Sequence, residues 1–150
     1  MGIKQVSSVM TKNRIHTDKK AKNNGMTIYY AHPMNIYDKP EETEDISCLE
    51  SFGYSVLNPN QPQHQTGCKV HPKSVMAYFG ELVNKCDALA FRAFPDGKIG
   101  AGICYEVKKN GDRPLYEISD DGNLIPITKE EVEARGLSIE ETRRYLGRSG

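Results

Sequence analysis

Residues 88–106 read ALAFRAFPDGKIGAGICYE, and this stretch decides the fold. The apolar run 88–93 predicts a buried strand, a glycine-dense loop follows it, and a helix carrying Glu106 begins near Gly102. In an α/β protein, such a strand and loop deliver ligand-binding groups to the carboxyl edge of the sheet. Glycines in the loop let the backbone approach a ligand closely. We therefore expect a binding site here rather than a simple turn.

Strands and helices alternate along the rest of the chain. β-Branched and aromatic residues predict strands at 27–31, 54–57 and 114–118, and helical spacing predicts helices at about 39–52, 74–85 and 102–109. Asp38 is expected to cap the first helix, and residues 61–72 are expected to form a long loop. The alternation predicts a parallel sheet of about four to five strands in a three-layer, Rossmann-like (flavodoxin-like) α/β domain.

The length and charge of the chain limit its organisation and partners. Its 150 residues suit one domain, which we assign to 26–150, with two capping-box helix starts at Thr128 and Ser138. Residues 1–25 hold six basic residues against one acid and are expected to form a flexible leader that is either simply solvated or grips phosphates. Twenty basic residues balance twenty acidic ones overall, so nucleic acid is not an expected partner. The expected partner is a small molecule.

The length of the apolar runs and the spacing of the cysteines indicate the cellular location. Apolar runs are too short for a signal-peptide core or a bilayer span, so we expect a cytoplasmic protein without a membrane partner. The four cysteines, at positions 48, 68, 86 and 104, form no closely spaced pair. Three of them fall in apolar patterns, which favours reduced, buried thiols over disulfides.

Two carboxylates accompany the glycine-rich loop. Glu106 lies four residues after Gly102, in the second turn of the predicted helix, from which it can reach the mouth of the loop. Asp96 lies on the loop itself. A carboxylate pair beside a pocket suits attack on an anomeric carbon, where one group is the nucleophile and the other donates a proton or orients the substrate. The alternative is an exposed helix residue and an Asp-Gly turn.

Together, these motifs and the first strand resemble the nucleoside 2-deoxyribosyltransferase superfamily, which includes the nucleoside 5′-monophosphate N-glycosidases. The resemblance covers roughly residues 26–118. It rests on the strand 27–31 with its Ile28-Tyr29 pair, on the strand that follows Asp87, and on the Gly102 to Glu106 spacing. It implies that Glu106 is the nucleophile, that Tyr29 contacts and orients it, and that Asp96 is the second carboxylate.

The resemblance also implies a reaction and a ligand. Glu106 would attack C1′ of a nucleoside or nucleotide, and water or another base would resolve the glycosyl-enzyme, without a cofactor or metal. The backbone amides of Gly100, Ala101 and Gly102, at a helix amino end, would receive a 5′-phosphate or another anion, with Arg92 as its charge partner. Gly97 of the same loop is a further expected ligand-binding residue. Such a protein is expected to be a homo-oligomer. Members with this fold also bind or sense nucleotides without cleaving them, so binding alone is the alternative function.

Other polar residues are candidates for the site or for the core. His32 follows the first strand, where it either contacts the ligand or packs in the turn. Asn58 and Asn60 follow the second strand, where one of the two is expected to bind a ribose or base beneath a loop that closes over the pocket. His64, Cys68 and His71 in that loop are zinc-ligand types without an evident fourth ligand. Tyr30 faces away from Tyr29 and is expected in the core.

Overall fold

The computed structural model describes residues 25–149, so the leader predicted at 1–25 lies almost entirely outside the described residues. The five strands are β1 (Thr27–Ala31), β2 (Ser55–Leu57), β3 (Ala88–Phe91), β4 (Leu115–Ile118) and β5 (Leu124–Pro126). They form one sheet in the order β2-β1-β3-β4-β5. Strands β1 to β4 are parallel, and β5 runs antiparallel to β4. The predicted α/β class and strand number are confirmed, and the sheet is mostly parallel.

Six α-helices and one 3-10 helix, Met34–Ile36, connect and follow the strands in this part of the chain. The hydroxyls of Thr128 and Ser138 accept hydrogen bonds from the amides three residues on, which confirms both predicted helix starts. No helix within residues 25–149 has the length and apolar character needed to cross a bilayer. The helices are α1 (Pro40–Ser51), α2 (Pro62–Val70), α3 (Val75–Asn84), α4 (Ala101–Asn110), α5 (Lys129–Arg135) and α6 (Ile139–Ser149).

The central strands β1 and β3 are buried on both faces, as expected for parallel strands. Alternate residues of β1 enter two different apolar clusters: Tyr29 packs with residues of α3 and α4, and Tyr30 packs with Leu49 of α1. Both tyrosines are fully buried. Successive strand side chains point to opposite faces. The two neighbouring tyrosines therefore belong to separate polar sites, one on each face of the sheet.

Two local predictions were wrong. The predicted loop after β2 contains α2, which begins at Pro62. Gly67 lets α2 approach α3 closely, since a Cβ there would lie 2.6 Å from the Tyr78 hydroxyl. Asp38 does not cap α1: it has a φ of +63°, Lys39 is the capping position, and no side chain caps there. The Glu42 side chain instead folds back to accept a hydrogen bond from the Asp38 amide.

Candidate active site

A buried tyrosine–glutamate pair joins β1 to α4. Tyr29 is fully buried in the middle of β1, and its hydroxyl donates a short hydrogen bond to Oε2 of Glu106. Glu106 is 8% exposed and lies in the second turn of α4. The contact that the family resemblance implied between these residues is therefore present in the structure.

Burial controls the titration of this pair. It raises the pKa of Glu106 to about 7, although the hydrogen bond from Tyr29 works in the opposite direction. Burial, followed by the nearby Glu106 charge, raises the pKa of Tyr29 so far that the phenol stays protonated. The pair thus consists of a permanent hydrogen-bond donor and a carboxylate that gains and loses a proton near neutral pH.

Tyr37 belongs to the same site, although the sequence did not point to it. It follows the 3-10 helix, and burial together with the Glu106 carboxylate raises its pKa. Cys68 of α2 belongs to the same buried cluster as Tyr29, so α2 lies beside the site. Nothing in the sequence spacing predicts this arrangement, because it depends on how α2 packs.

The strand order indicates that a ligand site is expected near the Tyr29–Glu106 pair. In the order 2-1-3-4-5, the chain leaves β1 and β3 in opposite directions, and ligands bind in the crevice outside the carboxyl ends of these strands. A cavity of about 700 Å³ opens at this edge. The segments after β1, β3 and β4 line it together with α1, but Glu106 does not. Its polar lining residues are Asn35, Glu41, Glu44, Arg92, Glu117, Ser119 and Asp120.

Arg92 forms a partly buried ion pair with Asp45 and an exposed one with Asp120. Nε and Nη2 bind both oxygens of Asp45 at 3.1 and 2.6 Å, and Nη1 binds Asp120 at 2.7 Å. Asp45 also accepts a hydrogen bond from Tyr30 at 2.6 Å. These contacts, led by the Asp45 hydrogen bonds, raise the pKa of Arg92. Arg92 lines the cavity, and its guanidinium binds neighbouring carboxylates, so its role as the charge partner of a phosphate stays a prediction.

His32 lies in a packed network rather than on an open surface. Its ring stacks on Tyr30 with centroids 3.8 Å apart, and Nε2 lies 2.8 Å from Glu42. Nδ1 lies 3.1 Å from the Tyr30 carbonyl. Burial lowers the pKa of His32, and its hydrogen bonds oppose that shift. This geometry matches the interpretation of His32 as a histidine packed in the turn.

The loop after β2 joins the His32 network. Asn58 accepts a hydrogen bond from the Asn60 amide at 2.9 Å, which closes a local turn. Asn60 in turn donates to Glu42, at 3.0 Å to Oε2, and to Asp38 at 3.1 Å. The segments after β1 and β2 are therefore tied together by side chains, and a ligand-binding role for Asn58 stays a prediction.

The glycine-rich loop is held by the two last helices. Gly97 has a φ of +88°, which favours glycine, and its carbonyl accepts a hydrogen bond from Arg135 of α5 at 2.8 Å. Asp96 accepts one from the Lys98 amide at 3.0 Å and interacts with Tyr145 of α6. These contacts of Asp96 lie within the loop and with α6, so its role as the second carboxylate stays a prediction.

The amino end of α4 has a protein ligand. The amide of Ala101 donates to the Thr142 hydroxyl of α6 at 2.9 Å, and Gly100 is buried beneath the same side chain. Gly102 faces α3, where a Cβ would lie 3.9 Å from Met76. The anion position expected at Gly100, Ala101 and Gly102 is thus partly occupied by α6.

The candidate zinc ligands have separate partners. His64 lies 2.9 Å from the Tyr78 hydroxyl, Cys68 donates to the Gln65 carbonyl, and His71 lies 2.8 Å from Glu81. Within residues 25–149 no group of three or more His, Cys, Asp or Glu side chains is arranged to hold a metal ion.

The chain was compared with protein-family models, curated proteins and solved structures, and no match was found in any of the three. The fold and the site together define the class of the protein. It is an α/β protein with a Rossmann-like, mostly parallel sheet, and a buried tyrosine–glutamate pair lies beside the point where the strand order reverses.

Proposed function

We propose that this chain cleaves or transfers the N-glycosidic bond of a nucleoside or nucleoside 5′-monophosphate through Glu106. The proposal includes a three-layer, flavodoxin-like arrangement of helices about the sheet and assembly into a homo-oligomer. One observation carries it: a buried Tyr29–Glu106 hydrogen bond beside the point where the strand order reverses. Ligand sites of open α/β sheets occur at this point.

The chemistry assigns a role to each atom of the pair. Tyr29 donates to Oε2 of Glu106, which leaves Oε1 as the attacking atom. Attack on C1′ forms a glycosyl ester and breaks the bond to the base nitrogen. The electron pair of that bond leaves with the base, which takes up a proton from solvent. Water or a second base then attacks C1′, loses a proton to solvent, and breaks the ester bond, which releases the Glu106 carboxylate. With a pKa of about 7, roughly half of the Glu106 side chains are ionised at neutral pH.

A second function is favoured by a different observation. The cavity of about 700 Å³ at the carboxyl edge is lined by polar groups but not by Glu106. A protein that binds a nucleotide-derived ligand without cleaving it needs only such a cavity. In that case Glu106 and Tyr29 would serve as a buried hydrogen-bonded pair within the core.

Release of free base distinguishes the two functions. Purified protein is incubated with a panel of nucleosides and nucleoside monophosphates, and free base is separated by chromatography. The parent is compared with Glu106→Gln, which keeps the size of the side chain but removes the nucleophile, and with Glu50→Gln, an exposed control on α1. Base released by the parent and Glu50→Gln but not by Glu106→Gln supports the enzyme. Retention of a ligand by all three proteins without release of base supports the binder.

A further inference from the structure

We infer that the site accepts nucleosides without a phosphate and discriminates against 5′-monophosphates, and that Thr142 of α6 is a specificity determinant. The inference rests on the proposed function, since it names which of the two substrate classes the same site takes. Three observations carry it: the occupied amino end of α4, the paired guanidiniums at this edge, and the charge of the cavity wall.

Thr142 occupies a position that an anion would otherwise take. A phosphate at a helix amino end binds to the free backbone amides of the first turn. Here the Ala101 amide already donates to Thr142 Oγ1 at 2.9 Å. The Thr142 hydroxyl itself donates to the Ser138 carbonyl at 2.8 Å, which leaves its oxygen lone pairs directed at Ala101. The hydroxyl thus supplies the acceptor that a phosphate oxygen would supply.

Packing holds Thr142 in place. The Tyr145 ring, three residues further along α6, stacks on Phe94 with centroids 3.9 Å apart. A Cβ at Gly100 would lie 3.4 Å from the Thr142 methyl group, so the loop and α6 are already in close contact. α6 also contacts the 3-10 helix that follows β1. A phosphate could accept a hydrogen bond from the Ala101 amide only after Thr142 moved away.

The two arginines at this edge are bound to carboxylates. Arg92 binds Asp45 through two nitrogens and Asp120 through a third. Arg135 binds both oxygens of Glu117, at 2.9 and 2.7 Å, and the Gly97 carbonyl. Recognition of a phosphate by arginine uses the same paired N–H groups. Binding a phosphate would therefore require breaking an existing pair.

The wall of the cavity carries negative charge. Glu41, Glu44, Glu117 and Asp120 line it, against Arg92 as the one positively charged lining residue. A phosphate monoester carries a charge of about −1.5 to −2 at neutral pH, and these carboxylates would repel it if it entered this cavity. The cavity wall therefore repels the group that distinguishes a nucleotide from a nucleoside.

The test compares matched pairs of substrates that differ only in the phosphate. The kcat/KM for adenosine, guanosine, cytidine and thymidine is measured beside that for each 5′-monophosphate. We expect kcat/KM for the accepted nucleoside to exceed that for its monophosphate by about 100-fold or more, the order of discrimination that an unpaired or repelled polar group produces.

Variants locate the discrimination. Thr142→Ala frees the Ala101 amide and is expected to reduce the preference for the nucleoside about tenfold. Asp120→Ala removes the acceptor of Arg92 Nη1 and is expected to reduce the preference by a similar factor. The gain for the monophosphate in these variants should decrease with added salt. Thr142→Ser keeps the hydroxyl, Asp112→Asn changes an exposed carboxylate that pairs with Lys129, and both controls should behave as the parent.

The outcomes separate this inference from the proposed function. Equal or faster cleavage of the monophosphate overturns the inference and leaves the proposed function standing. An unchanged preference in Thr142→Ala overturns the role of Thr142. If no substrate releases base, the proposed function fails, and the same pairs are compared by equilibrium binding to the parent. Tighter binding of the nucleoside then supports the inference, and tighter binding of the monophosphate, or binding of neither, overturns it.

Discussion

The buried carboxylate of Glu106 is expected to make the stability of the fold depend on pH. Its pKa is about 7 in the folded chain and near 4.5 when exposed on unfolding. Because Glu106 binds its proton more tightly in the folded state than in the unfolded state, its contribution to the free energy of unfolding is largest below pH 4.5. It falls as the pH rises from 4.5 towards 7 and changes no further above that window.

The size of this change in stability follows from the difference between the folded and unfolded pKa values of Glu106. At about 1.4 kcal/mol per pH unit, the interval from 4.5 to about 7 corresponds to a loss of about 3 kcal/mol in the free energy of unfolding. Glu106→Gln removes the titration but keeps a group that can accept the hydrogen bond from Tyr29. The difference in stability between variant and parent should therefore move by about 3 kcal/mol in favour of the variant between pH 4.5 and 8.

Urea unfolding followed by far-UV circular dichroism measures this difference, since the chain has no tryptophan to report by fluorescence. Parent and Glu106→Gln are compared at several pH values, so that contributions from His32 and the other carboxylates cancel. Glu50→Gln provides the control for loss of an exposed glutamate and should follow the parent. Parallel stability curves for parent and Glu106→Gln would refute the raised pKa of Glu106 and with it the buried, titrating nucleophile.

Three further predictions concern the contacts around this pair. Tyr29→Phe removes the hydrogen bond that lowers the pKa of Glu106, so the rise in kcat/KM for base release should move to higher pH; an unshifted pH profile would contradict this role of Tyr29. Gly67→Ala is expected to destabilise the fold by about 1–3 kcal/mol in urea unfolding, because its Cβ would lie 2.6 Å from the Tyr78 hydroxyl, and the double variant with Tyr78→Phe should recover part of that loss. Asp45→Ala leaves Arg92 and Tyr30 without their buried acceptor and should cost about 3 kcal/mol, whereas a loss below about 1 kcal/mol would mean that water replaces the carboxylate.

The sequence alone was sufficient for the elements that depend on local patterns. The alternation of apolar strands and helices predicted the α/β class, and the strand at 88–93 with its glycine-rich loop placed Glu106 on the helix that follows β3. Ser and Thr capping positions near the end of the chain were also readable, because a cap is a contact between residues three apart. The contact between Tyr29 and Glu106 came from the family resemblance rather than from spacing.

Only the tertiary structure decided which partners the polar side chains have. Arg92 binds Asp45, 47 residues away, and Ala101 binds Thr142, 41 residues away, so neither pairing leaves a local pattern. The residues of α2 resemble a loop, yet they form a helix that packs Gly67 against Tyr78 of α3. Local sequence determines which conformations a segment favours, whereas long-range packing determines which charges are neutralised and which groups remain available to a ligand. For this chain that second step pairs the Ala101 amide with Thr142 and the Arg92 guanidinium with Asp45, so part of the phosphate-binding position predicted from the loop is already occupied.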